Sequence, residues 1–214
     1  MRIKTIKNKN LLNLFIRKTE EFLKISYPIE YLERSLVRGL FNDGELVGGY
    51  VICLEGPFRV IESLPEIDSM AMAERITNAE MSLCEFTGLW LDKRVKSNFA
   101  NFLFWTQIYL DIIKSKKTHM VYAYGVEKVK LGQLYSIINP EVIYKGETKI
   151  MPGMKYAEKE VIEMASINYL KYAFFHRGDF LIKKLFLPRS LCNKKGNAMI
   201  PSFLRVTKRM FAKV

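Results

Sequence analysis

Residues 84–114 read CEFTGLWLDKRVKSNFANFLFWTQIYLDIIK, and this run carries the clearest structural signal in the chain. Together with the preceding Leu83, its first part to Leu91 is mostly apolar and aromatic, which is typical of a buried β-strand. Ser97 is a favourable N-cap for a helix that continues to about Lys116, with its large apolar side chains on one stripe. The run therefore predicts a strand, a loop and a long helix.

Helices and strands alternate on both sides of this run. The Asn42-Asp43-Gly44 turn lies between two β-prone segments and predicts a hairpin over 39–52. The other predicted elements are strands over 2–6, 118–124 and 141–150, helices over 11–25, 29–37, 128–138 and 158–175, and an irregular or partly helical region over 66–83. Interleaved in this order, they predict an α/β domain with a mixed sheet.

The length and composition allow one sizeable core, because 49% of the 214 residues are apolar. We predict a main domain over 1–155, a helical region over 156–185 that packs on it, and a basic tail over 186–214. No run approaches the roughly 18 apolar residues that a membrane-spanning helix needs. The N-terminus lacks a signal peptide's apolar block, and the three cysteines have no metal-binding spacing. We expect a cytoplasmic protein with no metal site.

The charge of the chain is strongly positive, with a formal net value of +12. Residues 186–214 contain no acidic residue and seven of the lysines and arginines. A basic surface attracts a polyanion, which is a nucleic acid, an anionic membrane or an acidic protein. Charge alone does not choose among these three.

Three segments carry a family resemblance: LFNDGELVGGYVI at 40–52, EFTGLWLDKR at 85–94 and KLGQLYSIINPEVIYKG at 130–146. Together with the order of the elements, they resemble the GNAT superfamily of N-acyltransferases. The resemblance implies a mixed, mostly antiparallel central sheet flanked by helices, here with a C-terminal helical extension. It also implies an enzyme that transfers an acyl group to an amine.

A second resemblance concerns the acyl donor. The run EGPFRVIESLPE at 55–66, followed by CEFT at 84–87 and DKR at 92–94, resembles the acyl-homoserine lactone synthases. A weaker likeness is to fatty acyltransferases that lipidate peptides. These resemblances imply a medium or long acyl chain carried by an acyl carrier protein. The acidic pair and the hairpin arginine of lactone synthases are absent, so lactone formation is not expected.

The loop after residue 91 also bears on the donor. In GNAT enzymes that use coenzyme A, glycines in this loop let backbone N–H groups approach a pyrophosphate. Here Ser97 and Phe99 occupy the glycine positions, which disfavours tight coenzyme A binding. A carrier protein presents phosphopantetheine without the adenosine pyrophosphate and is the expected donor, with acyl-CoA as the alternative. Four residues are candidates for binding its phosphate, with a solvated loop as the alternative: Arg94, Lys96, Ser97 and Asn98.

Two residues are candidates for the catalytic steps. The resemblance implies that Glu85 is the general base that accepts the amine's proton. The alternative is an outward-facing residue on a half-buried strand. Tyr135 matches the tyrosine that protonates the leaving thiolate in many GNAT enzymes, and its alternative is ordinary packing of a helix on the sheet. Five further residues are candidates for lining the acyl or acceptor pocket, with core packing as the alternative: Phe86, Thr87, Trp105, Tyr122 and Tyr124.

A different class of function remains open at this stage. The basic C-terminal segment allows a non-catalytic protein that binds nucleic acid or a membrane surface. Residues 201–214 are compatible with an amphipathic basic helix, which favours peripheral membrane contact. No helix-turn-helix, zinc or RNA-binding motif is present, so nucleic acid is the less favoured partner. The amine acceptor is expected to be a small molecule or a peptide with a lysine- or ornithine-type amine.

Overall fold

The computed structural model describes residues 1–95 and 97–176, with side chains up to residue 173. The described strands are β1 (Arg2–Thr5), β2 (Leu36–Asn42), β3 (Glu45–Cys53), β4 (Leu83–Leu91), β5 (His119–Gly125), β6 (Glu141–Glu147) and β7 (Lys159–Ser166). The described helices are α1 (Lys9–Leu23), α2 (Ile29–Glu33), α3 (Arg59–Glu62), α4 (Glu66–Asn78), α5 (Asn98–Lys114), α6 (Val129–Tyr135) and α7 (Ile167–His176).

These strands form one sheet in the order β1-β2-β3-β4-β5-β7-β6. Neighbouring strands are antiparallel, except that β4 and β5 run parallel. The long helix α5 connects β4 to β5, as a parallel pair requires. The predicted fold class, a mixed and mostly antiparallel sheet flanked by helices, is confirmed.

The two faces of the sheet carry different helices. Side chains from α1, α2, α3 and α4 pack on one face, which we call the α1–α4 face. Those from α5, α6 and α7 pack on the other, which we call the α5–α7 face. Because side chains alternate along a strand, Glu85 faces α1–α4, whereas its neighbours Cys84 and Phe86 face α5–α7.

A buried ion pair fixes α5 against the sheet. Asp111 accepts hydrogen bonds from Arg38 Nε at 2.7 Å and Nη2 at 2.8 Å, from the Tyr50 hydroxyl at 2.7 Å and from Gln107 Nε2 at 2.9 Å. Both carboxylate oxygens are therefore satisfied, as a buried charge requires. This network joins the C-terminal half of α5 to β2 and β3.

Three sequence-based predictions need correction. The helix predicted over 158–175 is wrong in its first half, because residues Lys159–Ser166 form β7 and helix α7 begins only at Ile167. β7 pairs with both β5 and β6, so the sheet extends past residue 155. The second helix ends at Glu33 instead of residue 37. For the region 66–83, helix α4 over Glu66–Asn78 confirms the partly helical alternative. Residues 177–214, including the predicted basic tail, lie outside the described residues.

Candidate active site

The parallel strands β4 and β5 pair over only three positions: Leu83 with His119, Cys84 with Met120 and Glu85 with Val121. Beyond them, β4 continues to Leu91 beside β3, and β5 continues to Gly125 beside β7. The two strands therefore part after Glu85 and Val121. We call the gap between 86–91 and 122–125 the split. Along the split, the backbone of β4 forms no strand pairs with the backbone of β5.

A β-bulge in β4 lies beside the split. Val51 pairs with Thr87 and Gly49 with Trp90, so β4 takes three steps where β3 takes two. Gly88 within this bulge has a φ of 61°, in the left-handed region that favours glycine. A bulge bends its strand and increases the local twist. It therefore helps to direct the outer half of β4 away from β5.

Glu85 is wholly buried at the point where the strands part. The Val60 backbone N–H donates a hydrogen bond of 3.3 Å to its Oε1. The buried Tyr31 hydroxyl lies next to this carboxyl group, but neither the hydroxyl nor Glu85 Oε2 makes a well-formed hydrogen bond among the described residues. Burial raises the pKa of Glu85 to about 7. The backbone N–H groups of Arg59 and Val60, the Tyr31 hydroxyl and the charge of Arg59 all oppose this rise in pKa. The outward-facing alternative for Glu85 is therefore wrong.

Aromatic and basic side chains surround Glu85 on the α1–α4 face. The guanidinium of Arg59 lies 5.4 Å from the centre of the Tyr27 ring and 5.6 Å from that of Tyr31. The Tyr27 hydroxyl is hydrogen-bonded to Thr87 Oγ1 at 2.8 Å. We call these five residues, Tyr27, Tyr31, Arg59, Glu85 and Thr87, the Glu85 cluster. Sequence analysis had found only Glu85 and Thr87.

Tyr135 lies on the opposite face of the sheet, at the end of α6. Its half-buried ring meets the ring of Tyr122 edge-on at 4.5 Å and that of Tyr124 at 5.7 Å. Burial raises the pKa of the Tyr135 hydroxyl, and the nearby Glu163 carboxylate raises it further. Sequence analysis had missed Glu163, which β7 places beside Tyr122 and whose Oε1 accepts a 2.9 Å hydrogen bond from Tyr124. No contact joins Tyr135 to Glu85.

The two catalytic candidates thus flank the split from opposite faces. Both lie near the positions where β4 and β5 part, because Tyr122 directly follows Val121, the pairing partner of Glu85. A carbonyl group placed in the split would have the carboxyl group of Glu85 on its α1–α4 side and the hydroxyl of Tyr135 on its α5–α7 side. This arrangement suits a reaction in which a proton leaves one group and another group accepts one.

The other predicted pocket residues differ in their surroundings. Phe86 and Tyr122 are buried in the core on the α5–α7 face, where Phe86 contacts Tyr50 at a ring distance of 6.1 Å. Trp105 is partly buried at the margin of the same core. Tyr124 is half-buried beside Glu163, and Thr87 belongs to the Glu85 cluster. That they contact a substrate stays a prediction.

The predicted phosphate loop leads into α5. Ser97 caps this helix, and its Oγ accepts the Ala100 N–H at 3.3 Å, as predicted. Arg94 folds back on Asp92, with hydrogen bonds of 2.9 Å from Nε and 2.7 Å from Nη2 to one carboxylate oxygen. Asn98 and Phe99 open the helix on the surface, and the Phe99 side chain is 62% exposed. Lys96 lies outside the described residues.

Within the described part of the chain, no three histidine, cysteine, aspartate or glutamate residues are grouped to hold a metal ion. No helix among these residues has the length and apolar character needed to cross a membrane.

Solved structures of acyltransferases share this fold. FeeM, an N-acyl amino acid synthase from uncultured soil microbes, is 16% identical, with a TM-score of 0.56 over 78% of this chain and 90% of its own. The ribosomal-protein-S18-alanine N-acetyltransferase from Escherichia coli is 9% identical, with a TM-score of 0.51 over 78% and 93%. The spermidine/spermine N-acetyltransferase SpeG from Vibrio cholerae is 10% identical, with a TM-score of 0.51 over 80% and 97%.

These similarities establish the fold class: the chain has the fold of the GNAT acyltransferases, as the resemblance at 40–52, 85–94 and 130–146 predicted. No family model matches the sequence, and no curated protein matches it.

Proposed function

We propose that this protein is an N-acyltransferase that moves a medium or long acyl group from a phosphopantetheine thioester to an amine. The observation that carries the proposal is Glu85, a buried carboxyl group with a pKa of about 7 and one unpartnered oxygen at the point where β4 and β5 part. A general base works best when its pKa lies near the operating pH. Several solved proteins with this fold bear N-acyltransferase names, which favours the same chemistry.

In the proposed reaction, the thioester carbonyl lies in the split. A neutral amine attacks the carbonyl carbon from the α1–α4 face, and Glu85 accepts its proton directly or through a water molecule. The carbon–sulfur bond breaks as the amide forms, and Tyr135 gives a proton to the thiolate on the α5–α7 face. Unpaired backbone N–H groups at a parted strand are suitable donors to the oxyanion.

We further propose that the donor is an acyl carrier protein and not coenzyme A. The loop before α5 offers less to an adenosine pyrophosphate than a glycine-rich loop does, because Ser97 and Phe99 stand where glycines would let the backbone approach. Backbone N–H groups at the start of α5 remain suited to a single phosphate. The net charge of +12 also favours an acidic protein partner.

An internal competition tests the donor. Wild-type protein receives equal concentrations of dodecanoyl carrier protein and deuterated dodecanoyl-CoA, together with a mixture of primary amines and amino acids. The isotope ratio of the N-acyl products gives the ratio of kcat/KM for the two donors. We expect the carrier-protein acyl group to predominate by about tenfold or more, since the carrier protein adds its own binding surface. Predominance of the deuterated product would contradict the carrier-protein proposal, and absence of amide products would contradict N-acyl transfer itself.

A further inference from the structure

Arg59 is a buried cation without an acidic partner. It is only 9% exposed, yet it forms no ion pair with any of the described residues. Its one hydrogen bond runs from Nη2 to the Pro152 carbonyl oxygen at 2.9 Å. A guanidinium has five N–H donors, and buried charges are normally paired. Most of the hydrogen-bonding capacity of Arg59 is therefore unused in this structure.

The unused donors lie beside an unused acceptor and an unused hydroxyl. Arg59 directly precedes Val60, whose N–H donates a hydrogen bond to Glu85 Oε1. The guanidinium of Arg59 lies 5.6 Å from the centre of the Tyr31 ring. Tyr31 is 4% exposed and Glu85 is 0% exposed. The Tyr31 hydroxyl lies next to the Glu85 carboxyl group, but neither this hydroxyl nor Glu85 Oε2 makes a well-formed hydrogen bond within the described residues. Leaving such groups unpaired is costly, so their convergence favours a ligand that pairs all of them.

A cation, a hydroxyl and a carboxyl group in one cluster complement an α-amino acid. A planar guanidinium binds a carboxylate through two parallel N–H···O bonds, and the hydroxyl supplies a further donor. Glu85 is then available to accept a proton from the amine. We propose that the acceptor is a free amino acid, whose α-carboxylate is bound by Arg59 with Tyr31 and whose amine is placed against Glu85. This inference rests on the proposed N-acyl transfer and narrows its acceptor from amines in general to amines that carry a carboxylate.

The segment between β6 and β7 closes this cluster from solvent. Pro152 O receives the Arg59 hydrogen bond, Gly153 O accepts the Ser26 N–H at 3.0 Å, and the Lys149 N–H donates to Ser63 O at 2.7 Å. An incoming carboxylate competes with the Pro152 carbonyl for the guanidinium. Because a charged hydrogen bond is stronger than a neutral one, the carboxylate is the favoured partner. The acceptor therefore enters where this segment is displaced.

The test compares each L-amino acid with its own carboxamide. The two compete at equal concentration in one reaction with dodecanoyl carrier protein, and mass spectrometry measures the ratio of the two N-acyl products. The carboxamide has the less basic amine, so its neutral form is the more abundant at pH 7. Wild-type protein should nevertheless prefer at least one amino acid over its carboxamide by about 10²-fold. Arg59→Met should bring this product ratio close to the one expected from the intrinsic reactivity of the two amines. Arg59→Lys should retain part of the preference for the amino acid.

Arg75→Met is the matched control, because Arg75 on α4 forms an exposed ion pair with Glu141 on β6 and is not part of the Glu85 cluster. It should keep the wild-type ratio. Equal use of acid and carboxamide by wild-type protein would overturn the proposal, and so would an Arg59→Met variant that loses activity on both alike.

A binding measurement separates this inference from the proposed function. The same amino acids are added without donor, and the melting temperature is recorded. Stabilisation by an amino acid but not by its carboxamide, lost in Arg59→Met, supports the carboxylate site even if no amide forms. In that case the proposed acyl transfer fails while the site remains. Absence of any carboxylate-dependent stabilisation together with absence of a product preference would overturn the site.

Discussion

The carboxyl group of Glu85 titrates near neutral pH because the fold removes it from water without giving it a cation within ion-pair distance. Burial is the largest cause of its pKa of about 7, and the neighbouring N–H groups and Arg59 only moderate it. A residue whose charged form is disfavoured in the folded state is kept at a cost in stability. That cost makes a functional role for Glu85 more plausible than a structural one, since a Gln or Met side chain would fill the same place without it.

The cost of Glu85 is measurable as a pH effect on stability. Its folded pKa of about 7 lies above the ordinary value of 4.5, so the folded state binds the proton more tightly. The contribution of Glu85 to the free energy of unfolding is therefore most favourable below pH 4.5 and is lost as the pH rises through 7. In Glu85→Gln this loss is absent, so the stability of the variant relative to wild type should rise by roughly 2 kcal/mol between pH 5 and pH 8. Urea unfolding at both pH values measures the difference.

Glu141 gives a control of opposite sign. The Arg75 guanidinium lowers the pKa of Glu141, so this carboxylate stabilises the fold above its unfolded pKa. Glu141→Gln should therefore lose stability relative to wild type as the pH rises, although the effect is small at this exposed site. A Glu85→Gln variant with the same pH dependence as wild type would show that Glu85 is not held in the buried, neutralised state described here.

The residues found from sequence and those missed differ in how the fold brings them together. Glu85 and Tyr135 lie in segments with a family resemblance, so their positions could be predicted. Tyr31 and Glu163 lie outside such segments, and Arg59 lies in the resembling run 55–66 but has no pattern that marks it as a site residue. They reach the split only because α2 and α3 pack on one face and β7 pairs with β5. Such long-range contacts are invisible to the periodicity of a single segment.

Among the elements, β4 shows how local backbone geometry opens the site. Gly88 holds a φ of 61° inside the bulge, and a Cβ atom there would lie 3.1 Å from Val51 Cγ2. Gly88→Ala should lower the free energy of unfolding by about 1–2 kcal/mol, because an L-residue is strained at this φ. Chemical denaturation measures the change. The rate of N-acylation should fall by more than the loss of folded protein explains, because the bulge shapes the split.

Gly56→Ala is the matched control for this variant. A Cβ atom at Gly56 meets nothing closer than 3.8 Å, so its effect on stability should be much smaller. If the two alanine variants unfold at the same denaturant concentration as wild type, the bulge at Gly88 does not require glycine.

β7 shows where propensity misleads. The segment KEVIEMAS contains Glu, Met, Ala and Lys, which favour helix formation, and it runs directly into the real helix α7. In the structure, its Val, Ile and Met side chains are buried on the faces of the sheet, and its backbone pairs with β5 and β6. Tertiary pairing on both edges outweighs a weak local preference. The hairpin over 39–52, with its Asp-Gly turn, was predictable because local and tertiary preferences agree there.

At the scale of the whole molecule, the fold separates two tasks across one sheet. We expect the donor arm to approach from the α5–α7 face, where α5 begins, and the acceptor to lie on the α1–α4 face, in the Glu85 cluster. The basic segment 186–214 supplies seven of the net positive charges and is our proposed contact for an acidic carrier protein. The buried carboxyl group of Glu85 where β4 and β5 part is the observation that favours an enzyme over a non-catalytic nucleic-acid or membrane-surface protein.

The most direct test of the central claim is the pH dependence of kcat/KM for N-acylation by wild-type protein and Glu85→Gln. Below pH 7, wild-type log kcat/KM should rise with a slope of about two, because both the amine and Glu85 must lose a proton, and above pH 7 with a slope of about one. Glu85→Gln should be slower by about 10² to 10⁴-fold at pH 7 and show the single slope throughout. Tyr135→Phe should be slower while keeping both slopes. A folded Glu85→Gln variant with near wild-type turnover and an unchanged profile would contradict the account.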